Sequence, residues 1–437
     1  MAPSLPLSAV SDEGKKITMQ FFELSNNFDH NGQQLGQVMA TVLRRRITTQ
    51  QRQLKQQHLS ARVIQAYLKD FKKNIRRAAP HWLTEIAGMA RGAGVTTDDI
   101  LLLNCAIPSH PTPKGGMDCT TCISVGSDTI QLLKIRDERN NIQTFYTIRL
   151  PDGAPLQIAG DVGHFGAAHV FSGRPLAGAS NTGGNITPST EPRLSGRHIL
   201  RLLAERARNV REIPRLMDWL MTDKLAGGAG TTRGVIYIFA DDEQALLMEA
   251  DANNYAYKFI AKGSMVISNH FLLPETKRLQ TAAPNRNTLT RRARMTELLA
   301  KHSGMPAPRD LFAITRDRRH APDALCNDDS KHFWMTISAQ LQVINRCLPA
   351  QSVNYVCCGN TRHSVYLPVP LSFTSCFQPL VSGRFYMRSD RLYRRHQCKA
   401  HMSAAQRQFE AKYCSGGEID PAAAMRAAYR LLQAELV

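Results

Sequence analysis

Long apolar runs are absent from this 437-residue chain. No stretch reaches the roughly 18 consecutive apolar residues that mark a membrane-spanning helix, so no crossing of a bilayer is expected. Met1 to Lys16 lacks the apolar centre of an export signal, and Ala434-Glu435-Leu436-Val437 matches no targeting tripeptide, so a cytoplasmic protein is expected. Internal repeats and low-complexity tracts are also missing. The ten cysteines are irregularly spaced: Cys119-x-x-Cys122 has no second pair at zinc-ribbon distance, and Cys357 and Cys358 are adjacent. No metal or other cofactor is expected, and without export the cysteines read as reduced thiols.

Acidic residues are few. There are 36 Asp plus Glu against 55 Lys plus Arg, a formal net charge of +19. Such a field favours anionic partners: nucleic acid, an anionic membrane surface, or a phosphorylated substrate such as an acyl-coenzyme A. An ordinary solvated basic surface accounts for the excess better than any one of these. The basic runs Arg44-Arg45-Arg46 and Arg394-Arg395 are short, and no aromatic residues interleave with them as a single-strand platform would need. Nucleic acid is therefore not expected as the partner. What the chain does have is apolar residues, 43% of the total, enough for a large core.

The pattern of these residues sets the organisation. Leu35, Val38, Met39, Val42 and Leu43, then Val63, Ile64, Tyr67, Leu68 and Phe71, predict helix over 34–79, with its Gln- and Arg-rich middle an exposed part of one long helix. Residues 1–16 read as a loose tail. Pro80 opens a shorter helix that Gly92 or Gly94 can stop, and Thr96 or Thr97 with Asp98 and Asp99 caps the next. Residues 106–117, with Pro108, Pro111, Pro113 and Gly115-Gly116, form a connector that runs straight to Cys119. Strand-like runs follow at 123–125, 131–135 and 144–149, then helical spacing at 194–221. Four more strand runs stand at 235–240, 245–249, 256–261 and 264–268, with Asp241-Asp242 a turn between the first two. A basic helical region at about 284–302 precedes strands near 335–345, 352–358 and 363–368, and the last 50 residues or so read as helical and polar. Consecutive strands joined by short turns predict antiparallel sheets covered by helices, an α+β four-layer αββα sandwich. A parallel doubly wound sheet fits less well, because strands and helices do not alternate one for one.

Cys119, in Met117-Asp118-Cys119-Thr120-Thr121-Cys122, opens a strand directly after the connector. If the Asp118–Cys119 bond is cut, Cys119 carries a thiol and a free α-amine whose ordinary pKa lies near about 8, so the amine can take the thiol proton without a histidine. Taken alone, the pattern is better accounted for by an ordinary buried strand cysteine. The segment Pro80-His81-Trp82-Leu83-Thr84-Glu85-Ile86-Ala87-Gly88-Met89-Ala90-Arg91-Gly92-Ala93-Gly94-Val95, followed by Asp98-Asp99-Ile100-Leu101-Leu102-Leu103-Asn104, reverses that balance. It resembles the corresponding segment of the isopenicillin-N acyltransferase family of N-terminal nucleophile hydrolases. Members of that family follow it with a loop and a self-cleaving Cys-Thr pair, which Cys119-Thr120 matches, although Asp118 stands where the acyltransferase has glycine.

Further residues are carried by the resemblance. Ser268-Asn269-His270-Phe271 is similar to the family's T-N-H-F motif, which implies that the Asn269 side chain donates to the developing oxyanion. His270 beside it is not needed as a base. Lys134-Ile135-Arg136-Asp137 lies where the family has an Arg/Gln-Asn-x-Asp turn, implying that Asp137 orients the nucleophile's amine or the cleavage site. Glu138 is the second candidate, and Ile135 replaces the asparagine. A solvated turn acid explains Asp137 equally well. Gly178 to Gly183 loosely resembles a G-x-N-x-x-G segment whose asparagine amide completes the oxyanion hole, here Asn181, and a plain turn residue is an equal reading. Trp334-Met335-Thr336-Ile337-Ser338 occupies the place of a T-L-F strand without the arginine that precedes it.

The resemblance, patchy over residues 30–370, implies the N-terminal nucleophile hydrolase fold, with 1–118 a helical segment released as one fragment, 119–390 the catalytic sandwich and 391–437 a helical tail. It implies a self-processing amidohydrolase or acyltransferase working through a Cys119 thioester on a small acyl amide or acyl-coenzyme A, its two fragments staying associated. A dipeptidase or amide hydrolase without transferase activity is the alternative enzyme, and a basic nucleic-acid-binding protein the alternative from another class.

Overall fold

A computed structural model describes residues 19–105, 107, 118–138, 143–187, 189, 191–228, 232–327, 335–371, 384–395, 404–415 and 420–434. The expected tail at 1–16, the connector at 106–117 apart from Ile107, and Trp334 lie outside the described residues. The N-terminal part gives β1 (Met19–Glu23), α1 (Phe28–Gln56), α2 (Ala61–Ala78), α3 (Pro80–Ala93) and α4 (Thr97–Asn104). The expected single helix over 34–79 is two helices. His58 turns into the left-handed region at φ 56°, and the Ser60 hydroxyl accepts from the Val63 amide to start α2. The polar middle of the stretch lacks the apolar stripe that would tie one continuous rod to the core. α3 and α4 follow their caps as expected. Pro80 opens α3, Gly94 closes it at φ 65°, and Thr96 and Asp99 form a reciprocal capping box. α1 and α3 pack along a glycine seam so tight that a Cβ at Gly32 would fall 2.0 Å from the Glu85 carbonyl oxygen.

Cys119 opens a run of strands: β2 (Asp118–Val125), β3 (Thr129–Glu138), β4 (Gln143–Arg149), β5 (Pro155–Asp161), β6 (His169–Ser172) and β7 (Leu176–Asn185). α5 (Gly196–Arg206) and α6 (Ile213–Thr222) precede β8 (Arg233–Ala240), β9 (Ala245–Ala250), β10 (Tyr255–Ile260) and β11 (Gly263–Ile267). Then come α7 (Pro274–Lys277), α8 (Arg286–Leu299), α9 (Pro308–Ile314), β12 (Met335–Asn345), β13 (Val353–Cys358), β14 (Tyr366–Pro370), α10 (Arg384–Arg395), α11 (Ala404–Tyr413) and α12 (Pro421–Ala434). One sheet has eight strands in the order β1-β4-β5-β6-β7-β8-β9-β10, the other six in the order β11-β2-β3-β12-β13-β14. All pairings are antiparallel except β1 with β4, which is parallel.

Period-2 alternation assigns each strand residue to one of three apolar layers. Ile130 and Leu132 of β3 meet Phe171, Ala179 and Ile236 between the sheets. Leu133 and Ile135, one residue out of phase, pack outward on Met295, Leu311 and Phe312 of α8 and α9. Ile148, Ile158, Val170 and Met248 of the larger sheet bury their outer faces under Ile86, Leu101 and Leu203 of α3, α4 and α5. The result is the expected four-layer αββα sandwich. The C-terminal helices are less polar than their sequence suggests: Phe385, Phe409, Met425 and Leu432 cover Val356, Leu367 and Val369 at one end of the smaller sheet. Among the described residues, no helix is long and apolar enough to cross a membrane.

One buried ion cluster ties α3 to α5. Arg201, fully buried, donates to Glu85 at 2.6 Å, to Glu205 at 2.7 Å and to the Phe165 carbonyl at 2.8 Å. Trp82 Nε1 donates to Glu205 at 3.1 Å. Replacing Arg201 with methionine strands two carboxylates without their cation, and a stability loss of roughly 3–5 kcal/mol is expected in urea denaturation. An unchanged midpoint would show that the cluster contributes nothing.

Candidate active site

The alternation that builds the layers also decides which cysteine meets open space. On β2, Ile123 and Val125 face the gap between the sheets, so Cys119 and Thr121 do as well. Cys119 lines a cleft of about 290 Å³ between the end of α4, the start of α5 and strands β2, β3 and β7. Leu102, Leu103 and Cys105 give that cleft an apolar wall, and Lys134, Glu138 and Arg197 face it with charge. Cys122 lies on the opposite face in the outer core with Leu133 and Met295, and burial pushes its thiol up to about 12. Burial also raises the Cys119 thiol, opposed by the neighbouring Lys134 charge.

Asn269, just after β11, lies against Cys119. Its Oδ1 accepts from the Cys119 amide at 3.0 Å, and its Nδ2 donates to the Thr182 carbonyl at 2.8 Å. Asn181 lies within β7, not in a turn. Its Oδ1 accepts from Thr121 at 2.9 Å, its Nδ2 donates to the Ser268 carbonyl at 3.2 Å, and the residue borders the cleft. The two asparagines thus hold the ends of β2, β7 and β11 together. His270 shares polar contacts with Ser268 and Thr288 at 3.2 Å, and burial lowers its pKa to about 4.

Asp137 and Glu138 point to opposite sides of β3. Asp137 pairs in register with Asp118 and accepts from Thr336 at 2.7 Å, next to the Asp118–Cys119 bond and outside the cleft lining. Burial raises its carboxyl to about 7 against the opposing charge of Arg291, so it is no solvated turn acid. Glu138 is the acid that borders the cleft. It accepts from Arg136 and Arg197, both at 2.6 Å, and Arg136 also reaches Asp161 at 2.9 Å. Two arginines and two carboxylates thereby meet in ion pairs beside the nucleophile.

The residue that sequence reasoning missed is Arg291. It is buried on α8, and its guanidinium donates to the Cys119 carbonyl at 2.7 Å, to Thr120 Oγ1 at 2.6 Å and to Asn269 Oδ1 at 2.7 Å. Nε donates to Asn287 at 2.8 Å, and the Asp118 carboxylate lies 3.6 Å away. Five fixed donors suit this fork better than any other side chain. Its signal is present in the sequence: Thr288, Arg291, Met295 and Leu298 recur on one helical face, and an arginine on a core-facing stripe needs buried acceptors. Among the described residues, no group of three or more His, Cys, Asp or Glu side chains is arranged to hold a metal ion.

No family model matches the sequence, and no curated protein matches it. Solved structures do. A mutant of the conjugated bile acid hydrolase from Clostridium perfringens aligns at 9% identity, over 59% of this chain and 95% of that one, with a TM-score of 0.35. A second variant of that enzyme aligns at 8% identity over 59% and 93%, with a TM-score of 0.33. The Caenorhabditis elegans orthologue of N-acylethanolamine-hydrolyzing acid amidase aligns at 10% identity over 53% and 94%, also at 0.33.

Proposed function

We propose that this chain is a self-processing N-terminal-cysteine amidohydrolase or acyltransferase, with Cys119 as nucleophile. The observation that carries the reading is the clamp on Cys119: its amide held by Asn269, its carbonyl by Arg291, and its side chain on the cleft. Cutting the Asp118–Cys119 bond turns that amide into an α-amine beside the thiol. The amine then takes the thiol proton, the thiolate attacks an amide or thioester carbonyl, and the proton passes to the leaving group. Water or an acceptor amine releases the acyl group from the thioester.

In this reading the Asn269 side-chain amide, aimed by its bond to Thr182, donates to the oxyanion. The β7 backbone at Asn181 supplies the complementary amide in this reading. Asn269→Ala is expected to lower kcat by about 10²–10³, near 3 kcal/mol of barrier, with a smaller change in KM. A kcat within twofold of the parent would remove Asn269 from the oxyanion role.

The cut would separate 1–118 from the remainder, with 119–390 carrying the catalytic sandwich and 391–437 the helical tail. The fragments would stay associated as a heterodimer, because β1 pairs with β4 and α1–α4 bury their apolar faces on the larger sheet. The thiol mechanism suits a reducing compartment such as the cytoplasm, and Cys119 and Cys122 are free thiols. The substrate would be a small acyl amide or an acyl-coenzyme A, whose phosphates the basic surface would favour. Acid-quenched mass spectrometry after mixing with a panel of N-acyl amides and acyl thioesters tests this. One acyl group on the peptide that begins at Cys119 is expected. Absence of any adduct and any turnover across the panel would contradict the reading, and added amines separate transfer from hydrolysis.

A further inference from the structure

The mechanism above leaves the first cut without a base. In the uncut chain the Cys119 nitrogen is an amide that donates to Asn269, so it has no lone pair for a proton. Among the described residues, no histidine is hydrogen-bonded to Cys119. His164 borders the same cleft, but burial lowers its pKa to about 3 and it stacks on His198 at 4.6 Å between ring centroids.

Lys134 is the group that fits. Cys119 pairs with Arg136 and Thr121 with Lys134, so Lys134 is the diagonal neighbour of Cys119 on the same inward face of β2 and β3. Such diagonal positions lie roughly 7–8 Å apart, within reach of a long side chain. Both residues line the cleft. Lys134 Nζ donates to the Ala168 carbonyl at 3.2 Å and to the Ser180 carbonyl. Two carbonyls use two hydrogens, which is all a neutral amine has. They leave its lone pair over, or, in the ammonium, the third hydrogen.

We propose that Lys134 accepts the Cys119 thiol proton in the first cut, while the α-amine is still locked in the peptide bond. This rests on Cys119 being the nucleophile. The neutral amine takes the S–H proton and becomes an ammonium. The thiolate sulfur bonds to the Asp118 carbonyl carbon, the C–N bond to Cys119 breaks, and Lys134 returns its proton to the departing nitrogen. Water then adds to the Asp118 thioester, the C–S bond breaks, and the products are the Asp118 α-carboxylic acid and a free Cys119 thiol and amine.

The surroundings bring the lysine within reach of its neutral form while keeping the thiol protonated. Burial is the largest influence and brings Lys134 down to about 8, with Cys119 and Glu138 opposing it, Arg136 and Arg197 adding to it, and His169 near it on β6. The same burial raises the thiol, so Cys119 stays protonated while Lys134 passes from ammonium to free amine as the pH rises through about 8.

The test is cell-free synthesis of the full chain followed by a time course on denaturing gels from pH 6 to 9.5. For the parent, the rate of the first cut is expected to rise with pH to a plateau, with its midpoint near the Lys134 value of about 8. Lys134→Arg keeps a cationic donor for both carbonyls but cannot accept a proton in this range. It should cut about 10²-fold or more slowly, with its midpoint moved up to the thiol's own ionisation. Lys134→Ala should regain part of the rate with added ethylamine, a readout that a purely structural lysine would not give. Lys134→Arg cutting at the parental rate with the parental profile would overturn the proposal and leave Cys119 in place. A parent that stays whole, like a Cys119→Ala control, would overturn both.

Discussion

Cys119→Ala is expected to remain a single 437-residue chain and to lose all measurable turnover of amides and thioesters. The sulfur is the atom that forms the bond in both the cut and the later reaction, and nothing beside it can substitute. Cys122, three residues on, lies on the far face of β2 in the outer core with Leu133 and Met295. Cys122→Ala should therefore cut and turn over normally, at a stability cost of about 1 kcal/mol for a lost buried sulfur. Cys119→Ser separates chemistry from shape, because the hydroxyl fits the same space while its proton is far harder to remove. Gel analysis with a coupled amide assay reads all three. A Cys119→Ala chain that still divides would move the nucleophile elsewhere.

Arg291→Met carries the second large effect. One guanidinium holds the Cys119 carbonyl, Thr120 and Asn269 Oδ1, so its loss frees both ends of the clamp at once. It also removes the charge that opposes protonation of Asp137, whose carboxyl should rise beyond about 7. The first cut and subsequent turnover are both expected to fall by at least about 10²-fold, since misplacement near 1 Å costs that much in an oriented site. Stability should fall by roughly 3–5 kcal/mol, because buried acceptors lose their donor. Arg291→Lys should recover part of the stability and little of the rate, because a single ammonium cannot reproduce three aimed bonds. Rapid cutting in Arg291→Met would show that Asn269 alone positions Cys119.

The helix pair leading to Cys119 was legible because its signals are local. Pro80, Gly94, Thr96 and Asp99 each act within one turn, and each is found in its expected place. The strands from β8 to β14 were legible for a similar reason: their β-branched and aromatic runs end at marked turns such as Asp241-Asp242. β7 was not. Its Gly178, Asn181, Gly183 and Gly184 have poor strand propensity, and the segment reads as a loop. It is a strand because β6 and β8 pair with it on both sides and because only a glycine fits where a Cβ on Gly178 would meet Phe239 and Val170 at 2.7 Å.

The site divides along the same line. Cys119 and Asn269 stand in motifs that can be read in sequence, and the fold brings them to 3.0 Å across 150 positions. The roles of Arg291 and Lys134 depend on partners distant in sequence. The helical stripe of α8 marks Arg291 as core-facing, but its acceptors on β2 and after β11 are set only by the fold. Lys134 is held by carbonyls of Ala168 and Ser180, 34 and 46 positions along the chain. The phase of β3 likewise decides that Glu138 borders the cleft while Asp137 faces the Asp118–Cys119 bond.

The most direct test of the account is N-terminal sequencing and intact-mass measurement of the purified, unmodified chain. Cleavage at Asp118–Cys119 predicts a 118-residue fragment and a 437 − 118 = 319-residue fragment that begins Cys119-Thr120-Thr121-Cys122. The two should co-elute in native buffer and separate only under denaturing conditions. A single intact 48.7 kDa species, or a new N-terminus at any other residue, would contradict it.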